Sequence, residues 1–481
     1  MDPLNRPNAD LPGLGRKRCA RILTLTLLTV VWSGCSGTNS NTGSTFVVGT
    51  DAPMASVASF SVQIESVALT DGDGNTVSLV KGTPTVDFAR YNGLQTLLDM
   101  NPVSGGTYTG VSITLGTGSG GTTAPILGYL NTSMTPPMIT TEVATLTSPT
   151  VNLKLDKPLV VATGGGPVGL RMDFDLQKSI AVDSNGNITG MVTPRFDVRA
   201  VANTDSGGYI DEFVAAVVTP PAGTESFMVQ GPHGQQFTIN TTAQTEWDGG
   251  ASLSALTTSS IVMVSGQLDR ADSTLDADEV AILSQNGFYA SGLVTYVTPP
   301  GAPSNFFDLY VRGLLPADTA VQLGNIAQVD LTGSETYSIY WMHNSFAHFA
   351  PSLFSQNGLL AGQDVAVGGP ASGAANASAV TVNRVTLRHW GYIGTIVAGS
   401  QNAGTGAFQM QVNGFAGVVI PETVTVYMGR KTDFRYGFGA FNDLTDGANV
   451  RVVGLLMKSP MAGQAVLLAR HVDGLNFTDF N

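Results

Sequence analysis

The chain of 481 residues carries 36 Asp and Glu against 23 Lys and Arg, a formal net charge of −13, and only 12% of its residues are charged. Phosphate binding and polybasic membrane docking both need a basic face, so nucleic acid is excluded as a partner and the surface charge is no membrane dock. A composition rich in Gly, Ser, Thr, Val and Ala suits an exported all-β protein with short strands and many turns.

The N-terminus reads as a leader. Arg16, Lys17, Arg18 and Arg21 precede the apolar run Ile22–Trp32, far shorter than the ~20 residues that span a bilayer. Ser33 and Gly34 then place small residues before Cys35, so residues 1–34 form a signal peptide. The segment resembles the bacterial lipobox, an aliphatic residue and two small residues before Cys, with Trp32 in place of the aliphatic residue. That resemblance implies cleavage before Cys35, lipidation of its thiol with palmitate among the acyl groups, and the bilayer as partner. Stable anchoring takes more than one acyl chain, and the resemblance implies three. Ser36, where Asp would signal retention, resembles sorting to the outer membrane. The other cysteine, Cys19, leaves with the leader, so the mature chain holds no disulfide and relies on ordinary cores. Residues 35–45, small and uncharged after the cysteine, form a flexible tether.

Residues 46–204 form the first domain. Val57–Leu69 alternates apolar and polar residues (Phe60, Val62, Ile64, Val67, Leu69) with one slip near Ser59. It ends in Asp71-Gly72-Asp73-Gly74-Asn75, a hairpin signal, and resumes at Thr76–Val80. Leu94–Leu98 reads as one or two helical turns. Thr107–Leu115 and Leu170–Leu176 are strands, the latter followed by a second hairpin over Asp183–Asn187. Thr50-Asp51-Ala52-Pro53, Ile64-Glu65-Ser66-Val67, Val86-Asp87-Phe88, Gly105-Gly106-Thr107-Tyr108, Met172-Asp173-Phe174-Asp175 and Thr193-Pro194-Arg195 occur in that order. Together they resemble domain of unknown function 4382, found at the front of many bacterial lipoproteins, with Gly49 in place of the opening Leu. The resemblance implies an exported β-sandwich and no assigned activity.

The second region contains three units, residues 209–286, 288–388 and 389–475. A strand entry recurs at Ala215–Val218, Gly292–Val297 and Gly394–Val397, and a central signature at Ile261–Gly266, Gly362–Gly369 and Gly447–Gly454. A spacing of about 85–105 residues is too long for a solenoid and fits three small barrels of five or six strands. The order of elements resembles domain of unknown function 5666, which implies an OB-like small barrel. The fold class is therefore all-β: a sandwich followed by about three small barrels.

Catalytic motifs are scarce. His233, His343, His348, His389 and His471 form no HExxH frame, and Gly-x-Ser-x-Gly and a Walker loop are absent. No cofactor is expected. Three features carry candidate chemistry. Asp71, Asp73 and Asn75 place oxygen ligands at alternate positions, as a Ca²⁺ loop does, although a plain hairpin turn explains them more simply. Asp173 and Asp175 share a strand face ~6–7 Å apart, a spacing open to paired-carboxylate catalysis or to a wet sheet face. The aromatic run Tyr337–Phe354 interrupts the second barrel in a chain with only 8% aromatics. In it Tyr340, Trp341, His343 and Asn344 offer a stacking platform for sugar rings, or else core packing.

Two functions follow. The first is a membrane-anchored, non-catalytic interaction or structural module binding glycans or envelope proteins. The second is an exported hydrolase using Asp173 and Asp175 on a polysaccharide or peptide.

Overall fold

The alternating apolar residues of Val57–Leu69 fold as expected, with a physical cause for their broken phase. In the computed structural model they lie in strand Val57–Asp71. Its pairing shifts register between Val57 and Ser59 against Ile126–Asn131, and between Ile64 and Ser66 against Gly106–Leu115. Each bulge inserts one residue and flips the side-chain phase, so Phe60, Val62, Ile64, Val67 and Leu69 all face inward. The structure describes residues 42–475 apart from 53, 203–207, 222–224, 233, 249–251, 270–273, 300–304, 317–318, 343–353, 371, 373–377 and 460–463. Cys35 and the residues before it lie outside the described residues. The first strand, Thr42–Ala52, takes in Thr42–Thr45, which composition assigns to the tether: sheet pairing with Thr96–Ser104 begins at Thr42.

Two sheets enclose the first core. One has the order Phe196–Ala202, Val168–Asp175, Thr42–Ala52, Thr96–Ser104; the other runs Thr150–Val161, Gly106–Leu115, Val57–Asp71, Ile126–Asn131, Met138–Val143. Between them pack Val47, Ile64, Val67, Ile113, Leu170 and Met172. The Leu94–Leu98 segment is not helical: a 3₁₀ turn covers Phe88–Tyr91 and a strand starts at Thr96. Phe174 stands at the centre of an aromatic cluster, with ring centroids 5.0 Å from Phe60, 5.1 Å from Phe88 and 4.8 Å from Phe196.

Three strand sets with one pairing scheme follow. In each, the first strand (Tyr209–Thr219, Gly287–Val297 or Trp390–Ile396) pairs antiparallel both with the next strand and with a late one (Ile261–Leu268, Asp364–Pro370 or Asn449–Lys458). A parallel pair then joins the third strand to the end of the set: Ile239 opposite Leu275, Gln328 opposite Ala379, Thr425 opposite Val466. The third set is a closed five-stranded barrel. In the second set the final element is divided into Ala379–Thr381 and Arg384–Arg388, each half pairing with a different partner strand. Closing the ladders leaves few free strand edges for aggregation.

The described residues form one compact unit. At its centre, Leu94 of the sandwich, Met263 and Leu283 of the first set, Tyr289 and Ala366 of the second, and Val453 of the third share one buried cluster. No helix among the described residues is long and apolar enough to cross a membrane. Truncating Phe174 to Ala strips the sandwich of its central ring, and a loss of about 3–5 kcal/mol is expected, measurable as a lowered denaturation midpoint.

Candidate functional site

The predicted site residues are dispersed. Asp71 Oδ1 accepts from the backbone N–H of Asp73 (2.9 Å) and Asn75 (2.8 Å), and Oδ2 from Asn75 Nδ2 (2.9 Å). The carboxylate is thus occupied within its own turn, and the Asn75 bonds hold its pKa below the ordinary range. Asp183 repeats the arrangement with Asn185 and Asn187. These are two copies of one turn, with Gly74 and Gly186 at positive φ. Among the described residues no group of three or more His, Cys, Asp or Glu converges as a metal site.

Asp173 and Asp175 have separate roles. Asp175 caps the short helix Leu176–Ser179 by accepting from the Lys178 N–H at 2.9 Å, and its carboxylate lies 3.2 Å from Lys178 Nζ. Asp173 sits 3.7 Å from Arg171, and burial pushes its carboxyl up. Tyr340 is fully buried, and its hydroxyl donates to the Asp211 carbonyl at 3.3 Å, so its ring is core and not a surface platform. Trp341 is half-buried, its backbone N–H donating to Glu279 Oε1 at 3.0 Å and Asp248 Oδ2 at 3.2 Å. His343 and Asn344 lie outside the described residues, as do His233 and His348. His389 and His471 are buried, and burial holds both imidazoles below their ordinary pKa.

The structure instead gathers six charged side chains that sequence reasoning did not bring together. Glu212 Oε2 accepts from Arg90 Nη2 and, at 2.7 Å, from Arg388 Nη2. Arg312 donates from Nε to Asp87 Oδ2 at 3.1 Å and from Nη1 to Asp364 Oδ2 at 3.3 Å. Asp364 Oδ1 lies 3.6 Å from both Arg90 Nε and Arg388 Nε. Asp87 Oδ1 accepts from the Phe60 N–H at 2.8 Å, and Arg388 Nη1 donates to Tyr289 Oη at 2.9 Å. The guanidinium of Arg312 also stacks 5.1 Å from the Trp390 ring centroid, a favourable cation–π contact.

Local irregularities aim these groups. Asp87 precedes, and Arg90 lies within, the 3₁₀ turn whose Phe88 packs against Phe174. Glu212 lies in a register shift between Ile210 and Phe213, where the N–H groups of Asp211 and Glu212 donate to the Gln95 carbonyl of the sandwich at 3.0 and 3.2 Å. Arg312 is the extra residue of a bulge opposite Ser291 and Gly292. A Cβ at Gly292 would lie 1.8 Å from the Tyr310 carbonyl oxygen, so only glycine fits there. Asp364 and Arg388 face each other across paired strands. Bulges of this kind redirect side chains out of the regular alternation.

Above the six charges opens a cleft of about 610 Å³, lined from the sandwich by Leu97 and Leu98, from the first set by Phe213, and from the second by Leu314, Leu315 and Leu323. Arg90, Arg312 and Arg388 also line it. One signal in the sequence points to this site: in a weakly charged chain, an Arg or Asp inside an apolar strand, as in Tyr310-Val311-Arg312 or Gln363-Asp364-Val365, needs a buried partner.

The comparisons agree with the order of the sequence motifs. Residues 42–190 match the model of a domain of unknown function (DUF4382). Residues 214–281 match a second domain of unknown function (DUF5666), covering most of the first strand set. Neither match is to a catalytic family. No curated protein matches the chain.

Burial raises the Glu212 carboxyl, but Arg90 and Arg388 outweigh burial and hold it below its ordinary value. A carboxyl held low in the folded state adds stability above its unfolded pKa of ~4.3, and that contribution is lost as pH falls through the folded value. Glu212→Gln leaves two buried guanidinium groups undercompensated. We expect it to lose about 3–5 kcal/mol at ~pH 7, and the deficit against the parent to narrow at ~pH 3 in paired denaturant titrations.

Proposed function

We propose that the protein is a membrane-tethered, non-catalytic binding module of the cell envelope, anchored in the outer membrane through a lipidated Cys35 and presenting its β body to a glycan or an envelope protein. The observation that carries this reading is the use made of the charged side chains. Asp87, Glu212 and Asp364 are engaged with arginines that join the sandwich to two strand sets. Asp473 is held by Arg451 at 2.7 Å and His471 at 3.1 Å. Asp175 caps a helix and Asp71 closes a turn. These carboxylates serve rigidity, and a rigid display body on a tether is what a binding module requires. A hydrolase needs two carboxyl groups free to face one substrate bond.

The test has two arms. The purified mature chain, applied to a glycan array and to envelope extracts, is expected to retain a partner without turning over polysaccharide or peptide substrates. Turnover that disappears in Asp173→Asn would replace this reading with the hydrolase. For the anchor, palmitate labelling is expected in the parent and lost in Cys35→Ala; equal labelling of the two removes the tether.

A further inference from the structure

We infer that the cleft over Arg90, Arg312 and Arg388 binds a small amphiphile with an apolar body and a single carboxylate head. This rests on the non-catalytic binding reading and names a ligand class for it. The cleft volume of about 610 Å³ falls in the ~300–1,000 Å³ range of small-molecule sites, which pair mostly apolar walls with a few convergent polar groups. Its apolar wall is built from leucines and Phe213 drawn from three different parts of the fold, and its polar side holds the three arginines with Asp87 and uncharged groups such as Gln63, Thr96 and Gln235.

Hydrogen-bond capacity selects the head group. Arg90 Nη1 and Arg312 Nη2 are buried and have no partner, although both residues are only 4% exposed and line the cleft. The Nε groups of Arg90 and Arg388 reach Asp364 only at 3.6 Å, beyond good hydrogen-bonding distance. Glu212 Oε1 is the unpartnered acceptor beside them, with Asp364 Oδ1 lying between the two Nε groups. Unused donors therefore outnumber unused acceptors, and an oxygen-bearing head that accepts hydrogen bonds fits. Charge narrows the choice. Three arginines face Asp87, Glu212 and Asp364 and are already neutralised. A phosphate would bring about two negative charges into a buried, balanced cluster. A carboxylate brings one and matches the planar guanidinium fork.

The mature chain carrying Cys35→Ala, which keeps every described residue, is titrated calorimetrically with octanoate, octyl phosphate and octan-1-ol. Octanoate is expected to bind one to one, with the phosphate and the alcohol each at least about tenfold weaker. Leu323→Trp narrows the cleft from the second set, leaves the three arginines in the sequence unchanged, and should weaken octanoate by about tenfold or more. Val214→Trp serves the same purpose from the first set, where Val214 lines the cleft, and either variant is used only if its unfolding midpoint matches the parent. Silence with all three probes marks the cleft as a hydrated void only and overturns the proposal. So does octanol binding as tightly as octanoate, or octanoate affinity unchanged in a folded Trp variant. Failure here with glycan-array or envelope-protein retention intact condemns the cleft alone; failure of both condemns the binding reading.

Discussion

The contact on which the rest of the molecule depends is the carboxylate of Glu212 between the guanidinium groups of Arg90 and Arg388. Its three residues come from the sandwich, the first strand set and the second strand set. Each is excluded from water, so none tolerates the loss of the others. Apolar packing builds cores that span neighbouring sheets and units, but packing is indifferent to orientation. The charged junction is directional, because a guanidinium satisfies a carboxylate only in its plane. The shared apolar cluster around Leu94, Met263 and Val453 includes Tyr289, whose hydroxyl accepts from Arg388, and burial beside such a cluster strengthens the interaction between the charges.

The same device recurs around Arg451. Its Nε holds Asp473, and its Nη1 reaches the Asp51 carbonyl and Asn92 Oδ1, both at 3.3 Å. Here the third strand set meets the sandwich. Both junctions use a strand arginine turned toward a neighbouring unit, and both leave polar atoms without partners, among them Arg312 Nη2 and the two oxygens of Asp51. Burial and the neighbouring Asp173 push the Asp51 carboxyl well above its ordinary pKa, which favours its neutral form in that setting.

The fold class was legible because alternation and turn residues are local properties. The Asp-Gly-Asp-Gly-Asn hairpin, the long strand around Ile64 and the recurring strand entries all act over a few residues. Leu94–Leu98 is ambiguous in sequence because its apolar content is compatible with helix or strand, and pairing with a distant partner decides the matter. The charged junction was invisible for a related reason. Arg90, Glu212 and Arg388 are separated by 122 and 176 positions, and two of the six charged residues sit in bulges, which break the periodicity that sequence reading relies on. The aromatic run stood out by composition, yet Tyr340 is core: density of aromatic residues reports burial more readily than exposure.

The hydrogen bond from Arg451 to the Asp51 carbonyl joins residues 400 positions apart. Contacts of such span are made only after most of the chain is present, and loop closure over that distance slows the approach to the native state. A chain released segment by segment must therefore keep its first strands partly unsupported until the last barrel arrives. During that interval its exposed edges are open to wrong pairing. The topology thus makes completion of this body depend on its last barrel, and a chaperone that shields the sandwich until that barrel docks would answer the need.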